Sequence, residues 1–186
     1  MRLFVAVPFP AEVKNELGKL IDDWRRERDK VTWVKKENLH LTLKFLGETP
    51  VEKLDSLKTR LASSLNGSFA FPISLSGAGG FPNFNRPRVL WVSVSEGKEK
   101  LSQVAEKVEE ATGPLGFPFD DRGISAHLTV GRVQESRLSE GLLAKVRACT
   151  FEAKGIIVLE VVLYQSELAT GGSIYTPLAR FELVKG

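Results

Sequence analysis

The chain contains two histidines, and both head the same triplet: His40-Leu41-Thr42 and His127-Leu128-Thr129. Composition alone would produce that coincidence with a probability on the order of 10⁻⁵ to 10⁻⁴. An imidazole, whose ordinary pKa lies near neutrality, can take up and release a proton within one turnover. A hydroxyl beside it can donate a hydrogen bond to an oxygen that is gathering negative charge. Along a strand, residues i and i+2 share a face, so His40 and Thr42 point one way while Leu41 and Leu43 point the other, and His127, Thr129, Leu128 and Val130 repeat the pattern. Two such pairs converging on one cleft would supply an opposed general acid and base together with two donors for phosphoryl oxygens. Paired histidines also serve metal sites, yet the nearby acids Glu37, Glu48, Asp120 and Asp121 show no ligand spacing with them, so neither a metal nor another cofactor is expected. The plainer alternative is a duplicated structural histidine, buried and satisfied by backbone groups.

The elements that must position these triplets follow from periodicity. Leu3 to Val7 reads as a buried strand closed by Pro8 and Pro10, and Val13, Leu17, Leu20, Ile21 and Trp24 recur at helical spacing, with a helix end near Arg28 or Lys30. Thr32-Trp33-Val34 opens a second strand region leading into Leu39 to Leu46. A helix over Val51 to Leu65 and a strand from Phe69 to Leu75 follow. The second half repeats the order: strand Val89 to Val94, a helix carrying Leu101, Val104, Ala105 and Val108, strand Ala126 to Val133, a helix with Leu138, Leu142, Leu143 and Val146, and strand Phe151 to Leu159. From each triplet the next helical segment begins 11 residues on, and the preceding apolar strand begins 36 or 38 residues back. Matching offsets of this kind indicate an internal duplication, approximately 1–76 and 88–160, within a single bilobal domain spanning 1–186. The expected product is two similar α/β lobes about a pseudo-two-fold axis, completed by a closing hairpin over 161–186. Gly77 to Arg88, the one long stretch without periodicity, reads as the connector between them.

With 42% hydrophobic and 26% charged residues among 186, the chain has the balance of one globular unit, not of a disordered or fibrous protein. Its net charge of +3 tolerates a phosphate-bearing partner without requiring one. No apolar run approaches the ~20 residues of a membrane span, and Met1 to Pro8 is too short a hydrophobic stretch for a secretory signal, so a cytoplasmic protein is expected. The single cysteine, Cys149, can form no intramolecular disulfide and reads as a packed residue near a helix end.

Other residues invite functional readings. Arg132 could clamp two phosphoryl oxygens, but strict alternation turns it away from His127 unless Gly131 introduces a bulge. Lys44 shares parity with His40 and would either extend a positive lining or lie at the surface. Phe9, Trp33 and Phe84 are candidates to stack on a base, against a core-packing alternative, while Trp24 and Trp91 read as core.

His40-Leu41-Thr42-Leu43 with Lys44-Phe45-Leu46-Gly47, and His127-Leu128-Thr129-Val130 with Gly131-Arg132, closely resemble the paired H-x-T motifs of the 2H phosphoesterase superfamily. Within it, the chain is most similar to the RNA 2′,3′-cyclic phosphodiesterases also called 2′-5′ RNA ligases. Arg2 to Val7, Trp33-Val34, the strand Pro87 to Trp91, Tyr164-Gln165-Ser166 and Tyr175 extend the likeness over essentially the whole chain. The resemblance implies an α+β fold with antiparallel sheets flanking a central cleft. It also implies metal-independent hydrolysis of an RNA 2′,3′-cyclic phosphate end to a 2′-phosphate, with reversible 2′-5′ joining as the same chemistry run backwards. On this reading His40 and His127 are catalytic, and Thr42, Thr129 and Arg132 bind substrate. His40 is taken as the acid and His127 as the base, the reverse being equally compatible with the sequence. The expected partner is RNA bearing a cyclic phosphate end, bound by a monomer with no membrane association. Two competing functions share these residues: a phosphodiesterase for a small cyclic nucleotide, and a non-catalytic module that binds RNA ends.

Overall fold

The computed structural model describes residues 1–120, 126–135 and 137–186. Asp121, one of the acids flanking the second triplet, lies outside them. Among the described residues the chain forms nine strands and four α-helices. In order these are β1 (Arg2–Pro8), α1 (Ala11–Arg25), β2 (Val31–Trp33), β3 (His40–Glu48), α2 (Leu54–Leu65), β4 (Phe71–Phe81) and β5 (Val89–Glu96), then α3 (Lys98–Thr112), β6 (His127–Val133), α4 (Glu140–Arg147), β7 (Glu152–Val158), β8 (Glu160–Ala169) and β9 (Gly172–Glu182).

The helices follow from apolar residues three and four apart, which line one face. Leu17, Ile21 and Trp24 on α1, Leu57, Leu61 and Leu65 on α2, and Leu142, Leu143 and Val146 on α4 are all buried. The last of these starts cleanly because the Ser139 hydroxyl accepts a hydrogen bond from the Leu142 amide at 3.1 Å. Helix α1 stops at Arg25, earlier than its periodicity suggested, and the short β2 is separated from β3 by a 3₁₀ turn over Lys36–Asn38.

Two antiparallel sheets result, ordered β3-β1-β8-β9 and β2-β6-β5-β4-β7. Counted from the histidine-bearing strand, β3-β1-β8-β9 corresponds to β6-β5-β4-β7, with β2 added outside β6. This is the α+β, two-lobed pseudo-symmetric arrangement expected from the sequence. Strand membership does not follow the chain in order, however. β2 and β4 join the second sheet, and the β8–β9 hairpin returns to the first. One hydrophobic core contains residues from both sheets and all four helices. No described helix is long and apolar enough to cross a membrane.

Two expectations need correction. The glycine stretch is not connector: β4 runs through Gly77-Ala78-Gly79-Gly80 to Phe81, which leaves only 82–88 between the strands. Glycine is required there because partner side chains lie across the backbone. A Cβ on Gly79 would meet the Trp91 ring at 2.4 Å, and one on Gly80 would meet Pro87 at 2.5 Å.

Lys44 neither lines the histidine face nor lies at the surface. Val5 pairs with Lys44 and Ala6 with Thr42, so Leu43 is an extra residue and a β-bulge reverses the alternation beyond it. Lys44 is thereby buried, where its ammonium pairs with Glu109 on α3 and donates to the Pro118 carbonyl at 2.7 Å.

A buried ion pair is weak evidence of net stabilisation, but stranding one charge is costly. Glu109→Gln should therefore destabilise the protein by roughly 3 kcal/mol, whereas Lys44→Met with Glu109→Gln should recover most of that loss. Urea denaturation of the variants checks this, and a double variant no more stable than Glu109→Gln alone would contradict it.

Candidate active site

Strand β3 is paired on one side with β1, buried from Leu3 to Val7, whose Phe4 lies against the histidine face while Leu3, Val5 and Val7 enter the core. The His40 ring packs 4.9 Å from the Phe4 ring, centroid to centroid, and edge-on to Tyr175 at 5.3 Å. Tyr164 stacks on Phe4 at 5.2 Å and lies 6.4 Å from the His40 ring. Lys14, Asn38, His40 and the two tyrosines line a pocket of about 50 Å³.

Hydrogen bonds fix the state of this imidazole. The Asn38 carbonyl lies 2.6 Å from His40 Nδ1, and a carbonyl only accepts, so Nδ1 carries a proton. In the neutral ring Nε2 is therefore the lone-pair nitrogen, and it accepts from the Thr42 hydroxyl at 3.1 Å. Asn38 is itself anchored, its side-chain amide donating to the Ser173 carbonyl at 2.7 Å. Burial pushes the His40 pKa below its ordinary value; the Asn38 carbonyl opposes this by favouring the imidazolium, and the charges of Lys14 and Arg132 reinforce the lowering. The Lys14 pKa is lowered as well, first by burial and then by Arg180, against the opposing pull of Glu37.

The second triplet sits on β6, whose inner residues Leu128 and Val130 are buried in the core. His127 packs against Trp91 on the neighbouring β5, with ring centroids 4.2 Å apart. Its pKa is lowered by partial burial and then by the charge of Lys98. Trp91 is thus not a core residue as expected. It alternates with the buried Leu90 and Val92, and its half-buried ring faces the histidine.

A second bulge resolves the parity of Arg132. Leu90 pairs with Gly131 and Trp91 with Thr129, so Val130 is the extra residue. Gly131 then takes an inward position, where a Cβ would meet Val31 at 2.7 Å and Trp33 at 2.9 Å. Arg132 returns to the face of His127 and Thr129, with its charge acting on His40 of the other sheet. β3 and β6 lie in contact across the two sheets, and Arg132, on the His127 face of β6, is near enough for its charge to act on His40 of β3.

The base-stacking candidates fare differently. Phe9 is buried in the core, Trp33 packs on Trp24 at 6.3 Å, and Phe84 lies under the Arg147 guanidinium at 4.8 Å. The aromatics that do surround the histidines, Phe4, Tyr164, Tyr175 and Trp91, were not singled out as site residues. The available signal was position: Phe4 alternates with Leu3 and Val5 on a strand buried on both faces. Among the described residues, no group of three or more His, Cys, Asp or Glu side chains could hold a metal ion.

Two antiparallel sheets in contact, each carrying an imidazole and a hydroxyl on one strand, fit a bilobal phosphoesterase frame. Comparison with known proteins is specific. A model of the LigT-like phosphoesterase family matches residues 7–91 and again 92–175. The RNA 2′,3′-cyclic phosphodiesterase of Archaeoglobus fulgidus is 40% identical, covering 98% of this chain and 100% of that one; the Escherichia coli enzyme of the same name is 30% identical, over 99% and 97%. Among solved structures, a Thermus thermophilus protein superposes with a TM-score of 0.81 at 30% identity, covering 98% of each chain. Escherichia coli LigT complexed with 3′-AMP gives 0.76 at 28% identity, over 98% and 97%. The chain belongs to the LigT-like phosphoesterase family, within the 2H superfamily.

The cradle beneath Trp91 offers a test of how His127 is held. Gly79→Ala should drive a Cβ into the indole and cost about 1 to 3 kcal/mol by overpacking. The displaced indole should also disturb His127 while leaving His40 unaffected. Histidine NMR titration checks this; unchanged His127 resonances in the variant would show that Trp91 does not position the ring.

Proposed function

We propose that this protein hydrolyses 2′,3′-cyclic phosphate ends of RNA to 2′-phosphates, with His40 and His127 as the acid–base pair. The observation that carries the reading is His40 with Nδ1 tied to a carbonyl and Nε2 in contact with the Thr42 hydroxyl, under the charge of Arg132. The names carried by the chain's relatives support the same substrate class. Lys14, Lys98 and Arg132 surround the imidazoles with positive charge, which suits a phosphodiester anion.

In the forward reaction His127 takes a proton from water as its oxygen attacks phosphorus. The P–O3′ bond breaks, and protonated His40 delivers a proton from Nε2 to the departing O3′, leaving a 2′-phosphate and a free 3′-hydroxyl. The Asn38 carbonyl favours the imidazolium, which supports the acid role for His40. The protonation state also sets the neighbouring hydroxyl. In the neutral ring Thr42 spends its proton on Nε2, whereas in the imidazolium Nε2 becomes a donor and the hydroxyl hydrogen is released toward a phosphoryl oxygen. Thr129 would serve as the matching donor beside His127, and Arg132 as a two-oxygen clamp. With an RNA 5′-hydroxyl in place of water, the same steps would form a 2′-5′ linkage: His127 takes the hydroxyl proton as O5′ bonds to phosphorus, the P–O3′ bond breaks, and His40 protonates O3′, the ligation that the reading also allows.

The deciding assay incubates the protein, in the presence of chelator, with an oligonucleotide ending in a 2′,3′-cyclic phosphate and identifies the product isomer. A 2′-phosphate is expected, and a 3′-phosphate or no product overturns the proposal. His40→Ala and His127→Ala should each lower kcat by roughly 10² to 10⁴ while RNA binding survives. Thr42→Val and Thr129→Val should cost about 10² to 10³, with the serine variants retaining much more activity because the hydroxyl remains. Equal losses for serine and valine would remove the hydroxyls from the mechanism.

The lowered pKa values carry a prediction of their own. In the free protein both rings favour the neutral form, so the singly protonated pair becomes scarce as pH rises through values below the ordinary histidine pKa of about 6.5. The kcat/KM profile should therefore be a bell with its maximum on the acid side of neutrality. A bound phosphodiester anion favours the imidazolium, so the alkaline limb of kcat should lie at higher pH than that of kcat/KM. Rate profiles taken between about pH 4 and pH 9 check both statements, and a flat profile would exclude a two-histidine scheme.

A further inference from the structure

The hairpin end that joins β4 to β5 carries an aromatic ring and a cation that the chemistry above does not use. Phe81 is 65% exposed and Arg86 is exposed, and no aspartate or glutamate occurs between Asp55 and Glu96. Register decides which face the ring occupies. Arg132 pairs with Val89 and Val89 with Phe81, and residues directly opposite on antiparallel strands share a face. Phe81 therefore stands in one row with Arg132, on the face that carries His127 and Thr129. Two strand spacings separate it from the arginine, about 10 Å, and four further steps along the strand put it roughly 16 Å from His127. This end of the hairpin is braced. A Cβ on Gly80 would meet Pro87 at 2.5 Å, and the Arg88 amide donates to the Phe81 carbonyl at 2.7 Å. The Asn83 side-chain oxygen accepts from the Asn85 and Arg86 amides at 3.1 and 3.0 Å, and the Arg147 guanidinium covers the Phe84 ring at 4.8 Å. The exposure of Phe81 is thus that of a held ring, not of a frayed strand end.

We propose that the Phe81 end of this hairpin is a second binding site for single-stranded RNA, which holds the body of the chain upstream of its cyclic end. The inference rests on the cyclic-phosphate reading above and deepens it from a terminal phosphate to a chain of several nucleotides. An aromatic face accepts any base, and a guanidinium attracts any backbone phosphate, so the site suits RNA ends of differing sequence. The absence of acids from residues 56–95 leaves Arg86 without a carboxylate on its own hairpin to compete for it. The row from Arg132 through Val89 to Phe81 is continuous with the face of His127, so a strand whose end phosphate lies at the histidines can leave across the second sheet and reach the ring. A nucleoside cyclic monophosphate bound at the histidines has no further nucleotide to place there. The hairpin end thereby distinguishes an RNA end from a small cyclic nucleotide, two substrates that the histidines and threonines alone treat alike.

The test compares a nucleoside 2′,3′-cyclic monophosphate with a short single-stranded oligonucleotide ending in a 2′,3′-cyclic phosphate. Phe81→Ala should raise KM for the oligonucleotide about tenfold, within the range measured for losing one base stack, with kcat nearly unchanged and with no effect on the monophosphate. Phe81→Trp should keep KM low. Arg86→Ala should also weaken only the oligonucleotide, and it should flatten the dependence of log Kd on log salt by about 0.7, the loss of one phosphate contact. An unchanged KM for the oligonucleotide in Phe81→Ala, an equal loss on both substrates, or an unchanged salt slope in Arg86→Ala would overturn the proposal. Should the unaltered protein hydrolyse neither substrate, the functional reading fails by itself. Fluorescence anisotropy with a labelled oligonucleotide ending in a 2′-phosphate still judges the second site, which is refuted if Phe81→Ala and the unaltered protein bind it equally. Equal binding together with a dimer that Phe81→Ala dissociates would assign this face to a second copy of the chain instead.

Discussion

The extra residue that directly follows each H-x-T triplet organises the strand face around the histidines. Strict alternation over eight residues would carry Lys44 and Gly131 toward the cleft with the histidines and would turn Phe45 and Arg132 into the core. The bulges at Leu43 and Val130 reverse this. They send Lys44 inward to Glu109, let Gly131 take a position with no room for a Cβ against Trp33, and return Phe45 and Arg132 to the face that carries the histidines. A β-bulge disrupts one ladder position and increases local twist. Here that cost is met on strands whose inner residues, Leu41, Leu128 and Val130, are completely buried and so fix the register.

The second organising constraint is the burial of His40. Packing an imidazole against Phe4 and Tyr175 favours the neutral ring, which on its own would suit only a base. The Asn38 carbonyl opposes that tendency by stabilising the imidazolium and at the same time removes the tautomeric choice, leaving Nε2 as the nitrogen directed at Thr42. The carbonyl is held by a turn that is tied to β9 through the Asn38 side chain and Ser173. The β8–β9 hairpin supplies Tyr164 and Tyr175 as well, so the closing strands of the chain determine both the enclosure and the orientation of a histidine in its first third.

How legible this was in the sequence depends on which physical signal each residue carries. The triplets stood out because a period of two is strong over His40 to Leu43 and because the pattern occurs twice. The buried faces of the four helices were equally plain from their spacing. Lys44 was misread because a bulge leaves no mark on parity counting, and only the glycine at 131 hinted at one in the second strand. The Gly77 to Gly80 stretch was misread for a different reason. Glycine signals both a loop and a close approach of a side chain to a strand, and only the position of Trp91 across Gly79 distinguishes them. Phe9, Trp33 and Phe84 pack in or against the core, the alternative that their types left open, because an aromatic side chain looks the same in sequence whether it fills the core or lines a cleft.

The pattern of strand exchange explains how two lobes can hold a small site between them. Had each half of the chain built its own sheet, the cleft would be an interface between independently folded units, and relative motion of the lobes would be the default. Instead β4 crosses into the second sheet, the β8–β9 hairpin returns to the first, and β2 joins β6, so each sheet contains strands from both halves. Lys44 adds a polar tie from β3 to Glu109 on α3 and to the Pro118 carbonyl in the segment that leads toward His127. Lys53 adds another, donating to the Leu115 carbonyl of that segment at 2.8 Å. Moving His127 relative to His40 therefore requires disturbing a shared hydrophobic core and a buried ion pair together. That coupling would serve the proposed acid–base pair, since two groups acting on opposite sides of one phosphorus atom must keep their separation to a fraction of an ångström for both proton transfers to proceed.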